Sequence, residues 1–368
     1  MEKLRAFLKR KDIVFSAKRY FIDAMGAMAQ GLFCTLLVGT ILNTIGQQFH
    51  IGFLNAAIVT IGTGDGAVHY TIGGLCSAMV GPGMAVAIAR ALNASPLVLF
   101  SLIPVGFATN YMGGAGGPLA VLFVAIVAAE IGKAVSKETK IDILVTPIVT
   151  VLVGVGFAAL IAAPVGRAAS AVGQAIMWAT ELQPFFMGII VSVVIGVALT
   201  LPISSAAICA ALGLTGLAGG AAVAGCCAQM IGFAVMSFPE NRWGGLAAQG
   251  LGTSMLQMGN IVRNPRVWIP PTLASAITGP VATCLFRLEM NGAPVSSGMG
   301  TCGLVGQIGV YTGWVSDVAS GAKAAITGMD WLGLVLISFV LPAVLTWLIA
   351  IPLRKWGWIK DGDLKLDL

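Results

Sequence analysis

Long apolar runs, separated by short polar or glycine-rich breaks, follow one another along most of the chain. A helix needs roughly 20 apolar residues to cross the hydrocarbon core of a bilayer. We predict membrane-spanning helices near 22–44, 71–92, 96–110, 117–135, 141–164, 183–201, 205–236, 268–288 and 330–353. The weaker apolar stretches are re-entrant hairpins, interfacial helices or further spans, and they lie at 50–62, 166–181 and 244–262. The expected total is about ten transmembrane helices, within two either way.

The composition supports a membrane protein, because 57% of the 368 residues are hydrophobic and only 10% are charged. Soluble domains carry about 25% charged residues, so lipid must solvate much of this chain. The mean hydropathy of +0.93 agrees with that conclusion. The sequence therefore predicts an all-α polytopic membrane protein with three parts: a basic segment at 1–20, a transmembrane domain at 21–353 and a tail at 354–368.

Basic residues collect at three places and give the chain a net charge of +6. They are Lys3, Arg5, Lys9, Arg10, Lys11, Lys18 and Arg19, then Lys133, Lys137 and Lys140, and finally Arg354, Lys355 and Lys360. Because basic residues that flank spans stay on the cytoplasmic side, both termini and the 133–140 loop are expected inside the cell. The charge could also suit nucleic acid, but no folded soluble domain accompanies it, so no nucleic-acid partner is expected. The first apolar run is too long for a cleavable signal peptide.

Glycine is the second informative residue type, and the 48 glycines cluster at 62–83, 113–117, 211–225, 244–259 and 292–309. Small residues let helices in a membrane approach closely. Dense glycine with proline also breaks helices, and broken helices line the solute sites of transporters built from repeats. One short match, F-x-x-N-x-x-G-G at 107–114 and 238–245, suggests an internal repeat.

The seven cysteines lie in apolar or glycine-rich sequence, and none has metal-ligand spacing to a histidine. We interpret them as reduced, buried thiols that act as small hydrophobic residues. Nothing in the chain matches a phosphate loop, a zinc protease, a serine-hydrolase elbow or a paired-carboxylate site. No cofactor, metal ligand or catalytic residue is predicted, so the chain is not expected to be an enzyme by itself.

Polar groups within apolar spans are unfavourable to bury, so they are candidates for a solute site. Asp65 and His69 lie in a glycine-rich loop that leads into a span. They either face a polar cavity, where His69 can exchange protons, or are a turn aspartate and an interfacial histidine. Glu240 and Asn241 lie at a span boundary and, with the arginine after them, either form part of the site or an interfacial ion pair. Asn110 occupies the position of Asn241 in the repeated pattern and is a further candidate.

Three amide side chains precede the span that begins near residue 268. Asn264 followed by Pro265 has the pattern of a helix N-cap with proline at the first helical position. Gln257 and Asn260 lie in an apolar, glycine-rich run. Amides there can bind an uncharged polar solute without placing a charge in the membrane. All three amides are candidate substrate-binding residues.

The stretch 290–303, MNGAPVSSGMGTCG, contains no acid, no base and no histidine among its small and turn-forming residues. Glycine and proline break the helix here, so backbone groups and hydroxyls can face a solute. We predict that it forms one wall of a buried site. The candidate binding residues in and beside it are Asn291, Ser296, Ser297, Thr301 and Gln307.

Four motifs, in this order along the chain, resemble a known family: Ile141–Pro147 with Ala163–Gly166, Leu201–Ala207, Asn264–Pro270 and Ala293–Gly298. Over about residues 20–353 the chain resembles the membrane-embedded IIC permease subunit of the phosphoenolpyruvate-dependent sugar phosphotransferase system. It is most similar to the fructose-type branch and to a stand-alone IIC-like family that includes the perfringolysin O regulatory protein.

The chain departs from this family at two expected ionisable groups. Fructose-type subunits carry a sugar-binding glutamate in a glycine-rich hairpin, but the matching region 252–260 contains no acid. They also carry a histidine after the Ala-Pro motif, where this chain has Val295 and Ser296. Because both expected groups are missing, a solute here is expected to be held by neutral hydrogen bonds. No IIB phosphocysteine loop or IIA histidine domain is fused to the chain, so the resemblance supports the fold more strongly than sugar phosphorylation.

The resemblance implies a homodimeric permease in the bacterial inner membrane that moves a small, sugar-like polar solute by alternating access. Phosphorylation, if coupled, would come from separate IIA and IIB proteins at the cytoplasmic face. Two alternatives stay open. One is a sensor or regulator that keeps the fold without transport. The other is an ion-coupled secondary transporter that uses Asp65, His69 or Glu240 as its coupling group.

Overall fold

A computed structural model describes residues 2–62 and 67–366, and it is 79% helical with almost no sheet. The α-helices are α1 Glu2–Arg10, α2 Ala24–Leu32, α3 Val38–Gln48, α4 Gly52–Asn55, α5 Ile72–Ala78, α6 Val80–Ala91, α7 Pro96–Gly113, α8 Gly117–Val135, α9 Asp142–Thr180, α10 Pro184–Thr200, α11 Ser205–Ala211, α12 Gly216–Met236, α13 Phe238–Ala247, α14 Met258–Arg263, α15 Ile269–Pro280, α16 Val305–Ser320, α17 Gly328–Val335 and α18 Leu341–Lys355. A short antiparallel hairpin, β1 Val59–Ile61 with β2 Val68–Tyr70, pairs Val59 with Tyr70. The prediction of a helical fold is confirmed.

Several helices continue through a wider or a tighter turn. The π-helical turns are Arg19–Asp23, Phe33–Leu37, Ala248–Gly252, Val281–Leu285 and Leu336–Val340. The 3-10 turns are Gly114–Gly116, Ser254–Gln257, Pro265–Trp268, Pro294–Gly298 and Cys302–Leu304. Four of these turns lie in the glycine clusters 244–259 and 292–309, namely Ala248–Gly252, Ser254–Gln257, Pro294–Gly298 and Cys302–Leu304, so the prediction that helices break in these two clusters is confirmed.

Five apolar helical stretches of the described chain are long enough to cross a membrane: Arg19–Gln47, Pro96–Val135, Asp142–Thr180, Gly216–Met236 and Gly328–Lys355. A sixth candidate is the pair α5 and α6, which is bent by 52°. The expected count of about ten is not confirmed. Predicted runs 141–164 and 166–181 form the single 39-residue helix α9, whereas the predicted span 205–236 divides into α11 and α12.

The apolar stretch Pro96–Val135 is a helical hairpin, not one rod. Gly114, between α7 and α8, has a φ of 51° that favours glycine. Ser95, just before α7, lies 3.1 Å from Ser136, just after α8, measured between the two hydroxyl oxygens. The two helices are therefore antiparallel. With 18 and 19 residues, each is about 27–28 Å long at 1.5 Å per residue.

The chain forms two compact units, Met1–Arg167 and Ala168–Leu368. In the first unit, α6 packs against α2, α7 and α8. Glycines permit this: a methyl group on Gly31 would overlap the main chain of Gly83, and one on Gly81 would overlap that of Gly106. Close helix approach through small residues, as the glycine clusters predict, is confirmed here.

A set of charged residues, which we call the ionic clasp, fastens the segment after α1 to α8. Lys133 donates to the carbonyl oxygens of Asp12 (2.7 Å) and Leu92 (2.8 Å), and its Nζ lies 3.1 Å from Glu130 Oε2. Arg19 Nη2 lies 2.6 Å from Asp12 Oδ2. This guanidinium holds the pKa of the Asp12 carboxyl at about 2. Lys133 and Glu130 are both buried.

The outer part of the clasp lies on the loop after α8. Glu138 Oε1 is 2.6 Å from Arg10 Nη2 and 2.5 Å from Lys11 Nζ. The hydrogen bond from Lys11 is the main cause that lowers the pKa of the Glu138 carboxyl. The basic N-terminal segment therefore makes specific ion pairs in addition to its expected role in topology.

In the second unit, α12 packs against α10, α15 and α18. Small residues again set the distances, because a methyl group on Gly225 would overlap the main chain of Ser192 and one on Gly279 would overlap that of Gly188. The internal repeat is not confirmed. Asn110 lies near the end of α7, whereas Asn241 lies in the first turn of α13, so the matched sequences occupy opposite ends of their helices.

Candidate solute site

Four of the predicted amides gather around one non-helical segment of the second unit, Trp358–Leu366, which we call the strap. The four are Asn241, Gln257, Asn260 and Asn264. Leu364 O accepts hydrogen bonds from Asn241 Nδ2 (2.8 Å) and Gln257 Nε2 (3.1 Å). Asn241 Oδ1 accepts from the backbone N–H of Leu366 at 2.8 Å. These four amides therefore lie together, and part of this chain occupies their hydrogen-bonding groups.

Three buried side chains form what we call the amide relay. Asn260 Nδ2 donates to Gln257 Oε1 (2.7 Å) and to Lys365 O (2.9 Å). Gln257 Nε2 in turn donates to Gln249 Oε1 at 2.8 Å, and Gln249 Nε2 donates to Ser237 Oγ at 2.8 Å. Gln249 was not among the predicted residues. Its sequence signal was present: it is a lone amide in the glycine-rich run 244–252.

The broken backbone between 248 and 263 positions the relay. A π-helical turn carries Gln249, a 3-10 turn ends at Gln257, and α14 carries Asn260. Thr253, between the first two turns, is extended and caps the second turn by accepting the Met255 N–H at 3.2 Å. A continuous helix with 3.6 residues per turn would hold these amides in another arrangement, so the break is what orders them.

Asn264 is an N-cap, as predicted, because its Oδ1 accepts the backbone N–H of Arg266 at 3.3 Å and Pro265 follows it. Its Nδ2 also donates to the strap, to Trp358 O and to Asp363 Oδ2, each at 2.8 Å. The guanidinium carbon of Arg266 lies 5.2 Å from the centre of a Trp358 ring, within cation–π range. One asparagine therefore begins a helix and holds the strap.

Glu240 pairs with Arg354 Nη2 at 3.1 Å, which corrects the interpretation of an ion pair with the neighbouring Arg242. Arg354 also lies 3.2 Å from the strap carboxylate of Asp361. Arg242 has φ 50° and ψ −148° within α13, so it turns away at a kink. Beside the pair lies a cavity of about 400 Å³ with mainly apolar walls, including Met236, Phe238 and Trp347.

The second predicted group, in and beside 290–303, contacts α12 and its neighbours. Ser297 Oγ donates to Leu214 O at 2.6 Å, and Thr301 Oγ1 lies 3.6 Å from Met230 Sδ. Gly300, with a φ of 53°, leaves no room for a side chain against the main chain of Cys226.

The remaining members of this group are also engaged. Gln307 Nε2 donates to Ser338 Oγ at 2.9 Å, and among the described residues its Oε1 is buried without a hydrogen-bond partner. Asn291 Nδ2 donates to Asp317 Oδ2 at 2.8 Å. Ser296 is buried beside Gly309.

A third polar cluster, not predicted, surrounds Gln229 in the middle of α12. Its Oε1 accepts from Trp268 Nε1 (2.8 Å) and Thr200 Oγ1 (3.3 Å). Its Nε2 donates to Ser275 Oγ at 3.4 Å. Thr200 Oγ1 lies 2.8 Å from the hydroxyl of Ser254, which begins the turn that ends at Gln257. A lone glutamine in a 21-residue apolar helix was the signal that could have found it.

The other candidates belong to the first unit. His69 is exposed, and its Nδ1 lies 2.8 Å from Thr60 Oγ1 across the β-hairpin. Asn110 is half-buried near the end of α7, where its main chain closely approaches Gly117. Asp65 lies outside the described residues. The structure therefore brings together candidates of the second unit, whereas His69 and Asn110 lie in the first unit.

The sequence profile of the family described as "Phosphotransferase system, EIIC" matches residues 22–366. The chain belongs to the EIIC family. An EIIC protein is the membrane permease component for sugar-type substrates in the phosphotransferase system, and the family implies partnership with IIA and IIB components. Neither the curated proteins nor the solved structures contain a significant match to the chain.

In this EIIC protein the amide relay and the Gln229 cluster are both built from neutral groups. Amides and hydroxyls donate and accept hydrogen bonds without carrying charge. Within residues 2–62 and 67–366, no group of three or more His, Cys, Asp or Glu side chains lies close enough to hold a metal ion. The polar chemistry of the site is therefore hydrogen bonding by side chains and exposed backbone.

Proposed function

We propose that this EIIC protein is a permease for an uncharged, sugar-like solute, and that the amide relay binds the solute. The relay carries the proposal: three buried amides are linked in series, on a broken helix, within a unit whose core is mainly apolar. Sugar hydroxyls both donate and accept, and so does each amide. A site built to hydrogen-bond hydroxyls strongly rejects analogues that lack them.

The Gln229 cluster extends the proposed solute path from the relay towards the middle of α12. Ser254 contacts Thr200 of that cluster and shares a 3-10 turn with Gln257 of the relay. Polar groups thus continue from the strap towards the middle of α12. We infer that a solute follows these groups, and that Ser296, Ser297, Thr301 and Gln307 line the opposite side of α12.

The rest of the mechanism follows from family membership and from the charge pattern. We propose alternating access in a homodimer of the bacterial inner membrane, with about ten spans and both termini cytoplasmic. Separate IIA and IIB proteins would phosphorylate the solute as it emerges. Lack of the expected acid in 252–260 supports the stand-alone IIC-like branch.

A second candidate function is a sensor that binds the solute without transporting it. The observation that favours it is that the strap already holds Gln257 and Asn260. Under this hypothesis the solute displaces the strap and a cytosolic partner binds the released segment. Ligand-stimulated recruitment of such a partner, without any flux, would favour the sensor.

Uptake by the full chain in proteoliposomes tests the permease, with panels of radiolabelled hexoses and polyols, with and without phosphoenolpyruvate and phosphotransferase proteins. Gln257→Ala and Asn260→Ala should each lower affinity about 2- to 10-fold, since a hydrogen bond contributes about 0.5–1.5 kcal/mol. The matched control is Gln183→Ala, because Gln183 is an exposed amide of the same unit. If no panel member is bound or transported, or both relay variants behave as wild type, the proposal fails.

A further inference from the structure

The strap occupies hydrogen-bonding groups that the proposed site needs. Both donors that Gln257 and Asn260 direct away from the relay end on strap carbonyls, Leu364 O and Lys365 O. An amide N–H that donates to a peptide carbonyl is less available to a sugar hydroxyl at the same position. The strap and a solute would therefore compete for the same two residues.

The contacts recognise a peptide main chain. Asn241 donates to Leu364 O and accepts from Leu366 N–H, so its amide brackets the backbone around residue 365. The side chain of Leu364 is fully buried, whereas that of Lys365 is exposed. Ile359, the second residue of the strap, is also buried. The strap is thus held by main-chain hydrogen bonds and by burial of two apolar side chains, which is how a peptide-binding groove holds its ligand.

Two glycines with positive φ, one before the strap and one within it, allow the chain to turn there. Gly357 (φ 70°) separates α18 from the strap, and Gly362 (φ 92°) lies within it. Both values favour glycine, which adopts them without steric cost. Two charged residues contact the strap, Arg354 through Asp361 and Arg266 over the Trp358 ring. Within the described residues, the other side-chain hydrogen bonds between the strap and the rest of the unit come from the neutral amides of Asn241, Gln257, Asn260 and Asn264.

We propose that the slot formed by Asn241, Gln257, Asn260 and Asn264 is a peptide-binding site whose resident ligand is the strap, and that the strap must leave before a solute reaches the relay. The strap is thereby an autoinhibitory element of the permease. That the slot binds a peptide stands on the contacts alone. That the strap blocks a solute and must leave rests on the proposed function.

Peptide binding tests whether the slot is a peptide-binding site. A chain that ends before Trp358 is prepared in detergent, and a fluorescein-labelled peptide of residues 358–366 is titrated while its anisotropy is measured. The shortened chain should bind it saturably and at least about tenfold more tightly than the full chain, whose own strap competes. A peptide with Leu364→Asp should not bind. Equal binding by both chains, or equal binding of both peptides, overturns the inference.

Thiol labelling of the full chain keeps the inference testable if the shortened chain does not fold. Cys34, Cys76 and Cys284, the free cysteines that are not buried, are replaced by serine, and Asn260→Cys is introduced as the reporter. Leu364→Asp should raise the maleimide labelling rate at least about tenfold, because an ionised side chain does not fit a buried apolar pocket. Lys365→Ala is the matched control and should leave the rate unchanged. Equal labelling rates in the reporter chain and in its Leu364→Asp and Lys365→Ala variants overturn the inference that the strap occupies the slot.

Uptake then separates the two proposals. A full chain with Leu364→Asp should transport at a higher initial rate than wild type at the same solute concentration. If the peptide binds but no variant transports any solute, the inference that the slot binds the strap holds and the permease proposal fails. If wild type transports the solute and the Leu364→Asp variant is no faster, the permease proposal holds and the autoinhibitory role of the strap is overturned.

Discussion

Two segments outside the long helices are fastened by opposite chemistry. In the first unit, the ionic clasp holds the segment after α1 through Lys133, Glu130, Asp12 and Arg19. In the second unit, neutral amides hold the strap by its main chain. Each attachment includes a contact between two buried residues, Lys133 with Glu130 in the clasp and Gln257 with Leu364 at the strap, so the main difference between them is charge.

The comparison shows what each kind of attachment is suited for. A buried charge that loses its partner is strongly destabilising, so an ionic clasp resists opening. A neutral hydrogen bond exchanges with water at a net difference of about 0.5–1.5 kcal/mol. An amide-held strap can therefore leave its slot and return. We infer that the first unit has a permanent attachment and the second a reversible one.

Removal of Lys133 should have the largest effect. Lys133→Met leaves the buried Glu130 carboxylate without its cation. This should lower the free energy of unfolding by about 3–5 kcal/mol. Asn260→Leu at the strap should cost no more than about 1–3 kcal/mol. Unfolding of the full chain in mixed micelles measures both. Lys137→Met, at an exposed lysine, is the control, and adding Glu130→Gln to Lys133→Met should recover part of the loss. A larger loss from Asn260→Leu than from Lys133→Met would break the comparison.

Salt should distinguish the two attachments by a smaller margin. Raising the salt from about 0.1 M to about 1 M shortens the Debye length from roughly 10 Å to roughly 3 Å. Trypsin cleavage at Lys9, Arg10 and Lys11 should become several-fold faster, because the exposed Arg10 and the largely buried Lys11 both pair with Glu138, which is partly exposed to salt. Cleavage at Lys360 and Lys365 in the strap should change less than about twofold. Peptide mass spectrometry reports both, and an unfolded substrate corrects for salt effects on trypsin. Equal salt dependence at both places would contradict the assignment.

Acid should have the smallest effect, confined to low pH. The Asp12 carboxyl has a pKa of about 2 in the folded chain and about 3.9 when unperturbed. A lowered folded-state pKa adds stability that is complete above the unperturbed value and is lost as the pH falls towards the folded value. The clasp should stay closed at pH about 4 and loosen as the pH approaches about 2. Pepsin cleavage within residues 5–18 measures this, and Asp12→Asn should remove the part of the pH dependence that Asp12 contributes, leaving the part due to Glu138, whose carboxyl pKa is also lowered. Loosening between pH about 6 and about 4 would show that another group controls the clasp.

Local signals in the sequence correctly predicted several elements. Apolar runs predicted helices, the glycine-rich stretches predicted the broken segments at 248–257 and 294–304, and Asn264-Pro265 predicted an N-cap. Each depends on interactions within a few residues. The number of spans is not confirmed, because continuation of α9 through 165 and separation of α11 from α12 depend on how neighbours pack.

The site shows the same division. The sequence selected Gln257 and Asn260 because amides are rare in apolar runs, and the structure places them together. It missed Gln249 and Gln229, although each is an amide in an apolar run. The pairing of Glu240 with Arg354 was also missed, since the two residues are 114 positions apart and the neighbouring Arg242 is the simpler partner.

The sequence by itself determined a helical membrane chain of the EIIC type with neutral candidates for its site, because composition and short-range pattern decide solvent, helix and cap. Only the tertiary structure decided that residues 358–366 return to those amides. A tail rich in charged residues predicts exposure, yet its main chain carries hydrogen-bonding groups that no side-chain pattern reveals. Main-chain recognition depends on where a segment lies in space, which only the fold specifies.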